Sequence, residues 1–238
     1  MIIKGGKPLY GDFIGILMLN TRFPRIPGDH GHFSTFNFPV RHKIVKAATV
    51  DRVAVRTDES LLPEFIKAAQ ELEEEGAKAI TTSCGFLALF QPELAKAVSV
   101  PVFTSSLLLI PLVHVMVGGR KIAVITANSK NLTKEHLRKA GVDPSIPLVI
   151  KGLEDKREFS RVILGDSPEG DFRKIREEVA EAAMELKEEH PDIAAVVLEC
   201  TNLPPYAKLI QDILGVPVFD IVVFANMVYN AIARREFV

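Results

Sequence analysis

The chain has 238 residues, 47% hydrophobic and 25% charged, with two cysteines and a formal net charge of −1. That length supports one large domain or two small ones. The near-neutral balance offers no basic field to nucleic acid or to an anionic membrane surface, and two cysteines are too few for a disulfide framework. The N-terminal stretch lacks an apolar run followed by a small-residue cleavage site. Ser105 to Val117, the most apolar stretch, contains Pro111 and His114 and is too short to cross a bilayer. A cytoplasmic protein with reduced thiols is expected.

In chain order, Phe13 to Leu19 is an apolar run of strand length without strict alternation, as expected for a strand buried on both faces of a parallel sheet. Polar residues Asn20, Thr21 and Arg22 follow. The stretch around Asp29, His30, His32 and His42 reads as an exposed loop or a lid, because its spacing matches no zinc pattern. Pro63 to Glu75 predicts an amphipathic helix with Phe65, Ala68, Ala69 and Leu72 on its buried face, ended by Gly76. Ala79 to Thr82 predicts a second buried strand, which delivers the chain to Cys84. Pro92 marks a helix start, and an apolar helix follows Val-Pro-Val-Phe at residues 100–103.

Gly118-Gly119 leads into a second half built the same way and lacks a nucleotide-binding glycine spacing. Lys121 to Thr126 predicts a strand, followed by Asn128 and Ser129. Phe172 to Glu189 predicts a helix with Ile175, Val179, Ala182, Ala183 and Leu186 buried, stopped by Pro191. Ala194 to Leu198 predicts a strand leading to Cys200, and Pro204-Pro205 a helix start. Val-Pro-Val-Phe then recurs at 216–219, before a last apolar helix from Asp220. Seventeen positions separate Cys84 from Pro101, and seventeen separate Cys200 from Pro217.

This repeat predicts two Rossmann-like α/β units with parallel sheets, related by a pseudo-twofold axis. The first is expected over residues 1–105 together with a C-terminal helix at 220–238, and the second over 106–219. Ligands bind at the carboxyl ends of parallel strands, where both cysteines lie, so the site is expected in the interdomain cleft. One buried cysteine alone reads as a small hydrophobe. Two at matched positions read as a functional pair.

With its strand-cysteine-helix pattern at Thr82-Ser83-Cys84-Gly85 and again at Glu199-Cys200-Thr201-Asn202, the chain resembles the aspartate/glutamate/hydantoin racemase superfamily. The Cys-Thr-Asn form is similar to its maleate isomerase and arylmalonate decarboxylase branch. The resemblance implies two α/β domains, no cofactor, a homodimer, a small carboxylate substrate, and cysteines on either side of the substrate's α-carbon.

Thiols suit proton transfer because their unperturbed pKa, about 8.5, lies within reach of working pH. The expectation is therefore a racemase or epimerase acting on an amino-acid-like or carboxylate substrate through Cys84 and Cys200. Asn20, Arg22, Ser83, Gly85, Asn128, Ser129, Thr201 and Asn202 are candidates to bind the substrate, Arg22 through its carboxylate. Two other readings are a cis–trans isomerase of an unsaturated diacid, with one cysteine as nucleophile, and a two-lobed binding protein without chemistry. No metal site is expected. Glu199 either joins the chemistry or points away, and His114 reads as a packed histidine.

Overall fold

The computed structural model describes residues 5–6 and 10–236. The opening residues of the expected first domain (1–4 and 7–9) and the last two of the C-terminal segment lie outside the described residues. The first half runs β1 (Ile14–Leu19), β2 (Val40–Val45), α1 (Leu62–Glu75), β3 (Ala79–Thr82), α2 (Gln91–Ala97), β4 (Val102–Phe103) and α3 (Ile110–Met116). The second runs β5 (Ile122–Thr126), α4 (Lys134–Lys139), β6 (Leu148–Gly152), the single turn α5 (Arg157–Phe159), α6 (Phe172–Glu189), β7 (Ala195–Leu198), α7 (Ala207–Leu214), β8 (Val218–Phe219) and α8 (Ile221–Ile232).

Each half holds a four-stranded parallel sheet, ordered β2-β1-β3-β4 and β6-β5-β7-β8. The two orders are the same permutation, so the sequence repeat is a repeat of topology. β1, β3, β5 and β7 are buried along their whole length. That explains their continuous apolar runs, since both faces are covered by other elements. Where the chain leaves β3 and β7, one more ladder bond extends each strand. Ser83 N–H donates to Leu17 at 2.9 Å, and Glu199 N–H to Ile125 at 2.8 Å. Ser83 and Glu199 are thus equivalent residues, each directly before a cysteine.

α1 ends at Gly76 in the left-handed conformation (φ 108°), a geometry that favours glycine. α6 starts under an Asp171 cap and buries the five apolar residues expected of it. α8 is capped by Asp220 and packs on the first half, where Phe224 meets Phe103 with ring centroids 4.9 Å apart and Tyr229 stacks on Phe38 at 4.1 Å. β2 is an addition to the elements expected from the sequence. It is an edge strand, half-exposed and polar, and its Lys43 pairs with Glu71 of α1 at 2.7 Å. Among the described residues, no helix is long and apolar enough to cross a membrane.

Candidate active site

β3 and β7 point their carboxyl ends at each other, and the loops that follow interlock. Thr201 Oγ1 donates to the Ser83 carbonyl at 2.6 Å, and the Ser106 hydroxyl donates to the Leu198 carbonyl. Between the loops lies a narrow cleft with a cavity volume of about 30 Å³. Both cysteines line it, with Ser83, Gly85, Glu199, Thr201 and Asn202 beside them. Leu19, Thr21, Phe23, Arg25, Val50, Ala54 and Phe86 complete the first half's wall; Ala127, Ile163 and Leu164 complete the second's.

The thiols are free, Cys84 half-buried and Cys200 buried. Each accepts a hydrogen bond from the backbone N–H two residues on, that of Phe86 or of Asn202. This matched bond favours the thiolate, but burial outweighs it. Burial, with the Glu199 carboxylate second, pushes the Cys84 thiol up to about 12. The same causes push Cys200 well above its ordinary value, with added repulsion from Cys84 and Asp29.

Glu199 is fully buried. Its Oε2 accepts from Thr126 Oγ1 at 2.7 Å, and its Oε1 has no partner. Burial raises its pKa to about 7, against the lowering effect of the Thr126 bond. Gly85 makes room for it: a Cβ at residue 85 would stand 2.3 Å from Oε1 and 2.2 Å from the Glu199 carbonyl oxygen.

The segment between β1 and β2 closes over the cleft. Arg25 Nη1 pairs with Asp29 at 2.6 Å and its Nη2 donates to Thr21 Oγ1 at 3.0 Å, while the guanidinium lies 4.6 Å from the Phe23 ring centre. Asn202 Nδ2 donates to the other Asp29 oxygen at 2.6 Å, tying this segment to the second half. His30 N–H donates to the Thr201 carbonyl at 3.4 Å, and His30 Nδ1 lies 2.9 Å from the Thr82 carbonyl, to which it donates. Burial holds the His30 pKa down to about 3, so the ring is neutral at ordinary pH. His32 is turned to Ser34. Among the described residues, no three His, Cys, Asp or Glu side chains are grouped to hold a metal ion.

Four candidates have their side chains engaged elsewhere. Arg22 is exposed, and its backbone N–H and side chain bind Asp166 instead, clasping the two halves. Asn20 Nδ2 donates to the Lys46 carbonyl, Asn128 Oδ1 accepts from Lys130 N–H, and Ser129 bonds Glu154. The cation that does line the cleft is Arg25, three residues beyond Arg22. The sequence does not single it out, because a loop has no periodicity to tell its inward residue from its outward one. Thr21 and Phe23 are hidden for the same reason, and Phe86 because it lies in a 3-10 helix (Gly85–Phe90) whose residues are all buried, so burial pattern does not distinguish the one that faces the cleft.

No family model matches the chain. Curated relatives match most of its length, and two that each span 90% of it are the following. The dimethylsulfoniopropionate lyase of Durusdinium sp. clade D is 33% identical over 220 residues, with 72% of its own length covered. Dimethylsulfoniopropionate lyase 3 of Emiliania huxleyi is 32% identical over 225 residues, with 58% of its length covered. Among solved structures, the Gly74Cys mutant of arylmalonate decarboxylase in its sulfate-associated form superimposes with a TM-score of 0.61 at 15% identity, covering 93% of each chain. A glutamate racemase of Bacillus anthracis gives 0.60 at 18% identity, covering 94% of this chain and 82% of that one. At these identities the structural matches bear on the fold alone.

Proposed function

This chain belongs to the dimethylsulfoniopropionate lyase family, within the fold superfamily of the aspartate and glutamate racemases, and from that premise we propose that it eliminates dimethyl sulfide from dimethylsulfoniopropionate. The expectation of an isomerase is corrected accordingly. The relative at 33% identity over 90% of the chain is a lyase, which overturns the racemase or epimerase reading and with it the cis–trans isomerase and the binding protein without chemistry. The physical reason is that a proton-abstracting thiol is the first requirement of racemisation and of elimination alike. The reactions part only afterwards. A racemase returns the proton on the other face, whereas a lyase lets a leaving group depart with the electrons of a neighbouring bond.

Family membership is the observation that carries this proposal, and the cleft suits the substrate named. A propionate bearing a dimethylsulfonium group is a zwitterion. Its carboxylate fits Arg25, which is held ready by Asp29 and Thr21. Its sulfonium methyls fit the apolar wall of Val50, Ala54, Ile163 and Leu164, with the Phe86 side chain beside them. One thiol of the pair takes the proton from the carbon next to the carboxylate, the C–S bond breaks, and acrylate and dimethyl sulfide leave. The test is headspace detection of dimethyl sulfide, together with acrylate, from purified protein and dimethylsulfoniopropionate. Absence of dimethyl sulfide release by the wild type refutes the proposal, and equal release by the Cys84→Ser/Cys200→Ser double variant refutes the role of the thiols.

The homodimer belongs to the same proposal. Leu112, Val115 and Met116 on α3 and Val223 and Met227 on α8 are exposed apolar residues that a second copy would cover. A monomeric mass by light scattering refutes that part.

A further inference from the structure

Glu199 is the buried group that thiol chemistry alone leaves unexplained. The large majority of buried polar side-chain atoms in folded proteins have a hydrogen-bond partner. Here Thr126 holds one oxygen, while the other is buried and unpartnered beside the cleft. Glu199 is peptide-bonded to Cys200 and packs on Gly85, the neighbour of Cys84. It lines the same cleft as both thiols, and its charge acts on each of them. Other charged groups near the thiols are Arg25 and Asp29 from the segment after β1, and β5 contributes only the Thr126 hydroxyl.

We propose that Glu199 is the third acid–base group of this site and accepts, through an adjoining thiol, the proton that leaves the substrate carbon. For its substrate this rests on the lyase reading above. The C–H bond breaks and its proton forms a new S–H bond on the thiol, as that sulfur passes its own proton to Oε1 of Glu199. The C–H electron pair becomes the double bond of acrylate, and the C–S pair departs with dimethyl sulfide. The zwitterion thus yields one anion, one neutral sulfide and one proton, and the proton rests on Glu199 until solvent takes it. Sulfur ends as it began, so no free thiolate has to form first. That matters in a cleft where burial opposes thiolate formation, while Glu199, with a pKa near 7, is balanced between its two forms. Glu199 acts through the thiol and touches no substrate, which makes it a positioning residue for the proton.

The test is the pH dependence of iodoacetamide labelling at Cys84 and Cys200, read by mass spectrometry, with dimethyl sulfide release measured in parallel. A carboxyl that shares a proton with a thiol titrates jointly with it. Between the first and second deprotonations, a fixed fraction of the pair is thiolate plus protonated Glu199. Wild-type labelling therefore climbs with pH to about 7, flattens, and climbs again at higher pH as the second proton leaves the pair. Glu199→Gln abolishes the flat region and lowers dimethyl sulfide release at neutral pH by at least about tenfold. Thr126→Val keeps the flat region but moves its onset to higher pH, because the lost hydroxyl was what lowered the Glu199 pKa. A wild-type profile without a flat region, or full turnover by Glu199→Gln, overturns the assignment. Should Glu199→Gln fail to fold, an unshifted onset in Thr126→Val overturns it. A flat region in a protein that never releases dimethyl sulfide overturns the lyase reading and leaves the proton-sharing role of Glu199 standing.

Discussion

Thr201 Oγ1 donates to the Ser83 carbonyl at 2.6 Å, joining the residue after one cysteine to the residue before the other. Both are buried, so the bond has no competing water. Thr201→Val keeps the shape and removes the donor. It is expected to cost about 1–3 kcal/mol in urea denaturation and to lower turnover. Thr201→Ser restores the hydroxyl and should recover most of both losses. Equal stability of the two variants would show that the bond contributes nothing.

Cys84→Ser and Cys200→Ser are close to isosteric, so circular dichroism and the melting temperature should barely change. A serine hydroxyl is a much weaker acid than a thiol. The variant of the proton-abstracting cysteine should lose about 100-fold or more in dimethyl sulfide release. The other should lose less, because it only shapes the departing side. Comparing the two assigns the base, and full activity in both would remove thiols from the reaction.

The two arginines after β1 are expected to separate by function. Arg25→Gln should raise the KM for dimethylsulfoniopropionate about tenfold or more, since a charge-assisted carboxylate contact is lost. Arg22→Gln should leave KM nearly unchanged, because that side chain is exposed and reaches only Asp166. A similar KM effect from both would mean that Arg25 does not contact the substrate.

His30 makes the fold acid-sensitive in a defined window. Its ordinary value of 6.5 falls to about 3 in the folded protein through burial. Between these limits the unfolded chain binds more protons, so stability from this residue is present above about 6.5 and drains away as pH falls towards 3. Glu199 acts oppositely, since its raised value makes stability fall as pH rises from about 4.5 to 7. His136, lowered to about 4 by burial, adds to the acid-side loss. Asn at residue 30 keeps an amide N–H for the Thr82 carbonyl but cannot be protonated. Melting temperatures of His30→Asn and wild type should therefore converge as pH drops from 7 to 4. A constant gap would show that His30 does not titrate on unfolding.

The architecture was legible where burial dictated residue type. α6 announced itself by five apolar positions at helical spacing between Asp171 and Pro191. The cysteines stood out because each follows a fully buried strand and precedes the same tetrapeptide at the same distance. β2 was not legible. Arg41, His42 and Lys43 give it no apolar run, and it exists by pairing with β1 and by ion pairs to α1. The inward turn of Arg25 and the orphaned oxygen of Glu199 were not legible either, since both depend on what the other half places opposite. Reaction class was hidden for a chemical reason: a thiol that takes a proton looks the same in sequence whatever follows the carbanion.

The contact between Gly85 and the Glu199 backbone also bears on how this cleft can evolve. The cysteine loops are in van der Waals contact there, and a methyl group at residue 85 would meet a carbonyl oxygen at 2.2 Å. Shortening residue 199 cannot relieve that clash, because the obstacle is main chain. Along this axis the cleft is a fixed gauge. Across it, Val50, Ala54, Ile163 and Leu164 are ordinary side chains whose size can vary without moving either cysteine. Variation at those four positions should yield enzymes that take bulkier or smaller sulfonium groups, while randomising residue 85 should yield mostly inactive protein. Adaptation to new substrates in this scaffold is therefore steered to its side walls, with the spacing of the reacting groups inherited unchanged.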